Sequence, residues 1–188
     1  EVTLPLVLSV LFHDIAKPAC FAYDDRSERI RFDGHDQKGA EMTQNILRRL
    51  RFSNEIIDAS QSAVAHHMQF KDVQQMRVAT LKRMLARPGF ETELALHRVD
   101  CLGSSGNLTN YDYVVAKQGE FAEEPLIPTP LINGRDLMAI GWKPGPALGE
   151  MLEQVQSQQL EGKLASGEAA LAWVEKEFGS PASGEAAS

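Results

Sequence analysis

The stretch Leu4-Pro5-Leu6-Val7-Leu8-Ser9-Val10-Leu11-Phe12-His13-Asp14-Ile15-Ala16-Lys17-Pro18 decides how the chain is read. Thr3 ahead of it can cap a helix, Pro5 suits a first turn, and Leu4, Val7, Leu8, Leu11 and Ile15 recur at helical spacing. The apolar run is too short to span a bilayer. It has no basic segment before it and no small-residue cleavage site after it, so it reads as a buried helix ending before Pro18. His13 and Asp14, both able to bind a metal, stand at its end, and packing alone rarely asks for such an ending.

Outward from that helix the pattern stays helical. Cys20–Tyr23 and Arg29–Phe32, separated by Asp24, Asp25 and Ser27, form a candidate small hairpin. Helices are expected at Asp36–Arg51, with Ala40, Thr43, Ile46, Leu47 and Leu50 on one face, and at Asn54–Met68 behind an N-cap at Ser53. Others are expected at Val78–Ala86, Phe90–Leu102, Asn110–Gln118, Arg135–Ile140, Pro146–Leu160 and Glu168–Phe178. The fold class is therefore all-α, mostly helical with a possible small β-hairpin and a helical C-terminal tail. Three prolines between Glu123 and Pro130 mark a boundary. The expected organisation is a helical domain at 1–122, a Pro-rich linker at 123–132, a helical tail subdomain at 133–180 and a disordered tail at 181–188. The first residue is Glu1 and not methionine, so an upstream segment is expected.

The formal charge of -7 excludes a uniformly basic nucleic-acid binder, but the charge is uneven. Residues 38–98 hold 10 basic against 6 acidic groups, whereas residues 118–188 hold 4 against 11. A basic belt thus lies between acidic flanks. Cys20 and Cys101 form no CxxC pair and no disulfide framework, which fits a reducing cytoplasm.

If His13 and Asp14 bind a divalent cation, further imidazoles and carboxylates must converge on them. The candidates are His35, the tandem His66 and His67, and Asp100. His97 reads as an ordinary hydrogen-bonded core residue. A plainer role exists for Asp14 too, as a partner of Lys17.

The adjacent His13-Asp14 pair with the later histidines and Asp100 resembles the HD superfamily of metal-dependent phosphohydrolases. That resemblance implies a divalent ion of unspecified identity that activates water for attack on phosphate. The family pattern also starts with a histidine upstream of the pair, and nothing before His13 supplies it. Ala16 stands where glycine is usual.

The surrounding text narrows the resemblance. Phe32-Asp33-Gly34-His35 with Lys38-Gly39-Ala40, then Ile46 through Asn54, and Leu81-Lys82-Arg83 with Ala86-Arg87-Pro88-Gly89-Phe90 resemble bacterial class II CCA-adding enzymes and poly(A) polymerases. So does the second block, Pro130 through Leu137 with Gly141-Trp142-Lys143-Pro144-Gly145-Pro146 and Gly149. In that block Gly141 can end one helix, Pro146 can open the next, and Gly149 is expected to permit close approach.

The family's nucleotidyl transfer uses an N-terminal head with a Gly-Ser motif and paired carboxylates holding Mg. Here Gly103-Ser104 is followed only by the lone Asp112, so no catalytic residue for nucleotidyl transfer is expected in this stretch. The resemblance implies a cytoplasmic portion that positions a tRNA or other RNA 3' end, without membrane attachment; a dimer is one option for its assembly. Arg48, Arg49, Arg51, Arg77, Lys82, Arg83, Arg87 and Lys143 are the candidate phosphate contacts. The alternative is a metal-dependent HD phosphohydrolase acting on nucleotides or RNA-end phosphates. A third possibility is a helical dimerisation module.

Overall fold

A computed structural model describes residues 2–181. The helices run α1 Leu4–Phe12, α2 His35–Arg49, α3 Asn54–His66, α4 Val78–Leu85, α5 Phe90–Gly103, α6 Thr109–Glu120, α7 Gly134–Ala139, α8 Pro146–Leu160 and α9 Gly167–Phe178. Strands β1 Ala22–Asp24 and β2 Arg29–Arg31 pair antiparallel with Tyr23 opposite Ile30. The all-α class with one small hairpin is thus what forms. Two 3-10 segments, Lys17–Cys20 and His67–Gln75, were not expected. The tail expected at 181–188 lies, but for Pro181, outside the described residues.

Contacts divide the chain into two units. One comprises residues up to Met76 together with Met84–Phe121, and the other Arg77–Arg83 together with the residues from Ala122 onward. In the first, α1, α2, α3 and α5 pack on one another, and Leu6, Ala63 and Leu96 meet in a buried cluster. In the second, α8 packs on α7 and α9 around Ile132, Leu137, Met151, Val155, Ala170 and Val174.

Thr3 caps α1 through its side chain, which accepts from the Leu6 N–H. The buried face of α1 differs from the expected one, since Leu4, Val7 and Leu11 are exposed while Leu6 and Ser9 are buried. A helix apolar all round gives periodicity nothing to choose between. What selects the face is small-residue packing: Ser9 donates to Pro5 O at 2.7 Å and lies 3.5 Å from Ser60 O of α3, beside Ala63. Leu6→Ala is expected to cost about 2–3 kcal/mol as a large-to-small core change. Leu11→Ser should shift stability by less than about 0.5 kcal/mol, because Leu11 is 68% exposed. Thermal melting of the two variants checks the assignment.

Three smaller expectations also change. Ser53 precedes α3 but makes no side-chain capping bond. Leu50 is exposed and lies off the buried face of α2, which holds Ala40, Thr43 and Leu47. A Cβ on Gly149 would meet nothing within 4 Å; close approach falls instead at Gly39, where it would sit 3.3 Å from Val64 Cγ1, and at Gly167, 3.0 Å from Leu131 O.

Candidate metal centre

Three histidines of the first unit, His13, His35 and His67, are aimed by their local backbone. His13 follows the last turn of α1 and His67 follows α3. His35 is the first residue of α2, placed there by Gly34, whose φ of 76° turns the chain out of the hairpin in a conformation costly for other residues. All three share one device. The Nδ1–H of His13 donates to Val10 O at 2.9 Å, that of His35 to Phe32 O at 2.7 Å, and that of His67 to Val64 O at 2.7 Å. A carbonyl only accepts, so each Nδ1 carries a hydrogen, and the tautomer so fixed in the neutral ring is the one whose Nε2 offers a lone pair.

Those lone pairs converge. His35 Nε2 lies 3.2 Å from His67 Nε2 and 3.6 Å from Asp14 Oδ1. His13 Nε2 is 3.3 Å from Asp14 Oδ2 and 3.6 Å from Asp100 Oδ1. Asp14, His35 and His67 each offer a ligand atom within 4.8 Å of the others. With both Nδ1–H groups committed to carbonyls, nothing donates between the facing Nε2 atoms of His35 and His67, so a cation fits there.

Two imidazoles and a carboxylate form a mixed N/O set suited to a divalent transition ion, and the backbone bonds at Nδ1 are the outer-shell contacts that orient such ligands. When bound, such an ion supplies Lewis-acid polarisation of a phosphoryl oxygen.

The electrostatics agree with that fit. Burial pushes the Asp14 carboxyl up, but the Lys17 hydrogen bond at 2.7 Å, with the fields of His13, Lys17 and His67, outweighs it and holds the group below the usual carboxylate range. Burial pushes His67 below the ordinary imidazole value, reinforced by His13 and His35 and opposed by its bond to Val64 and by Asp14. Its lone pair therefore stays available at neutral pH.

Of the six candidate ligands, the fold brings together His13, Asp14, His35, His67 and Asp100, and it takes His66 elsewhere. Successive helical residues point about 100° apart, so His66 cannot share the direction of His67. Its Nδ1 lies 3.0 Å from Glu93 Oε1, which also accepts from Ser62 Oγ at 2.9 Å. Glu93 is fully buried, and Arg87 binds its other oxygen while reaching Gln69 Oε1 at 2.9 Å. The sequence reading missed Glu93, although it shares a helical stripe with Phe90 and His97. His97 is half-buried and stacks on Phe70 at 4.4 Å.

The candidate phosphate contacts also separate. Arg48, Arg49, Arg51, Arg77 and Lys143 are exposed, while Lys82 is half-buried. Arg83 donates to Ser157 Oγ at 2.9 Å, and Arg87 is held by Glu93. No helix among the described residues is long and apolar enough to cross a membrane.

Comparison with known proteins agrees with the motifs. The family model described as HD domain matches residues 3–98, and that described as tRNA nucleotidyltransferase domain 2, putative, matches residues 128–174. The chain is 32% identical over 183 residues to an A-adding tRNA nucleotidyltransferase of Deinococcus radiodurans, covering 94% of this chain and 42% of that protein. It is 31% identical over 176 residues to a CC-adding tRNA nucleotidyltransferase of Thermus thermophilus, covering 93% and 40%. A multifunctional CCA protein of Methylobacillus flagellatus is 29% identical over 111 residues, covering 55% of this chain and 26% of that protein. The chain thus spans about two fifths of the length of the first two relatives. No solved structure matches at a significant level. With its His13-Asp14 pair set among converging imidazoles and carboxylates, the chain belongs to the HD domain family, and a match to tRNA nucleotidyltransferase domain 2 follows the HD domain in the same chain.

Proposed function

We propose that this chain is the RNA-positioning and HD portion of a tRNA nucleotidyltransferase, gripping the 3'-terminal region of tRNA for nucleotide addition carried out outside the described residues. The observation that carries the reading is the succession of an HD domain match and a tRNA nucleotidyltransferase domain 2 match in one chain. Arg48, Arg49 and Arg51 supply the grip in the first unit, where all three are exposed at the end of α2. Arginine–phosphate contacts of this kind give affinity with little sequence choice, which suits a protein that must accept many tRNAs. Arg77, Lys82, Arg83 and Lys143 extend the set in the second unit. Arg87 serves the fold instead.

Hydrogen exchange with and without tRNA tests the reading. Slowed exchange is expected around residues 48–52 and 135–149, and unchanged exchange in both segments would contradict it.

A second reading concerns the ligand cluster. The facing Nε2 atoms of His35 and His67 beside Asp14 favour a bound divalent ion and hydrolysis of a phosphate ester in the same chain. Asp14, His35 and His67 are the proposed ligands, with His13 and Asp100 as further members of the site.

A further inference from the structure

The ligand cluster opens into a cavity of about 740 Å³ lined by Asp14, His35, His67 and Asp100 together with β2 and the segment that follows α3. Cavities of this size hold whole small molecules; a single phosphate would leave most of it empty. Four cations line it: Lys17, Arg29, Arg31 and Lys71. Lys17 is held by Asp14 at 2.7 Å, and Arg31 lies 3.1 Å from Asp24. Among the described residues Arg29 and Lys71 make no ion pair, although they reach the cavity from separate elements, β2 and the 3-10 segment His67–Gln75. The pairing of Ile30 with Tyr23 fixes the hairpin register, and Ile30, Phe32 and Met68 give the same cavity an apolar stretch of wall.

We propose that Arg29 and Lys71 form a second phosphate subsite in this cavity, so that its ligand is a nucleotide carrying two phosphate groups. One phosphate lies at the divalent ion and the other between Arg29 and Lys71, with the nucleoside against Ile30, Phe32 and Met68. The proposal rests on the reading that Asp14, His35 and His67 hold a divalent ion. Two sources share this chemistry: phosphates on either side of a ribose, as at the end of an RNA strand, or phosphates joined by an anhydride, as in a nucleoside diphosphate.

The test loads the whole chain with Mn²⁺, counts bound metal by electron paramagnetic resonance, and measures binding of adenosine 3',5'-bisphosphate, ADP and AMP by calorimetry. Wild type, Arg29→Gln, Lys71→Gln and Arg29→Lys are compared. Arg29 and Lys71 are exposed, and Mn²⁺ uptake also reports that each variant keeps its fold.

Mn²⁺ uptake should be unchanged throughout. Affinity for at least one two-phosphate ligand should fall roughly tenfold in each glutamine variant, as loss of a charge-assisted bond implies, with AMP changed less than about twofold. Arg29→Lys should retain most of the affinity. The two-phosphate ligand that responds identifies the source. Normal Mn²⁺ uptake with no loss of two-phosphate binding, with an equal loss for AMP, or with no two-phosphate binding by wild type would overturn the subsite and leave the metal reading intact. Absence of Mn²⁺ from wild type would overturn both.

Discussion

Asp14→Asn is expected to lower divalent-ion affinity by at least about 100-fold, because loss of an outer-shell partner alone costs roughly 10–100-fold and Asp14 is a proposed direct ligand. The amide keeps the size of the side chain but gives up the charge that answers the ion. His67→Ala should have a comparable effect, since it removes one of the two facing Nε2 atoms. His66→Ala supplies the internal contrast. It lies next to His67 in sequence but is directed at Glu93, so metal uptake should persist. Mn²⁺ or Zn²⁺ titration of the four proteins checks this, and retention of normal affinity by Asp14→Asn would remove the carboxylate from the site.

Arg87→Ala should destabilise the first unit by about 3 kcal/mol, at the low end of the range for breaking a buried pair, because the Arg87 side chain is 26% exposed. The cost arises mainly on the other partner. Glu93 is fully buried, and without Arg87 its charge is left with Ser62 and His66. Urea unfolding measures the effect. The triple change Arg48→Gln, Arg49→Gln, Arg51→Gln involves exposed side chains only and should move the midpoint little. A stable Arg87→Ala protein with weakened tRNA binding would return Arg87 to the phosphate contacts.

These two outcomes mark where residue type alone was sufficient and where it was not. Helix limits set by Pro5, Pro146 and Gly141 were legible because proline and glycine act through local backbone geometry. The convergence on Asp14 was legible as a set of residue types, and the shared Nδ1–carbonyl device then explains how His13, His35 and His67 are oriented. The exposed face of α1 was not legible, since its apolar residues surround the helix and Ser9 and Ala63 decide its orientation. Glu93 escaped because a buried charge is defined by its partners, which stand 6, 27 and 31 residues away. Arg29 and Lys71 escaped for a similar reason: their relation depends on the cavity they line in common.

The proposed grip of this chain on tRNA is tested by the salt dependence of tRNA binding. Wild type should bind with an affinity that falls steeply as salt rises. The Arg48, Arg49 and Arg51 triple glutamine variant should bind more weakly at low salt, with a log–log slope shallower by about 2 to 3, one released counterion or slightly less per lost phosphate contact. Equal affinity and equal slope in the two proteins would contradict the account.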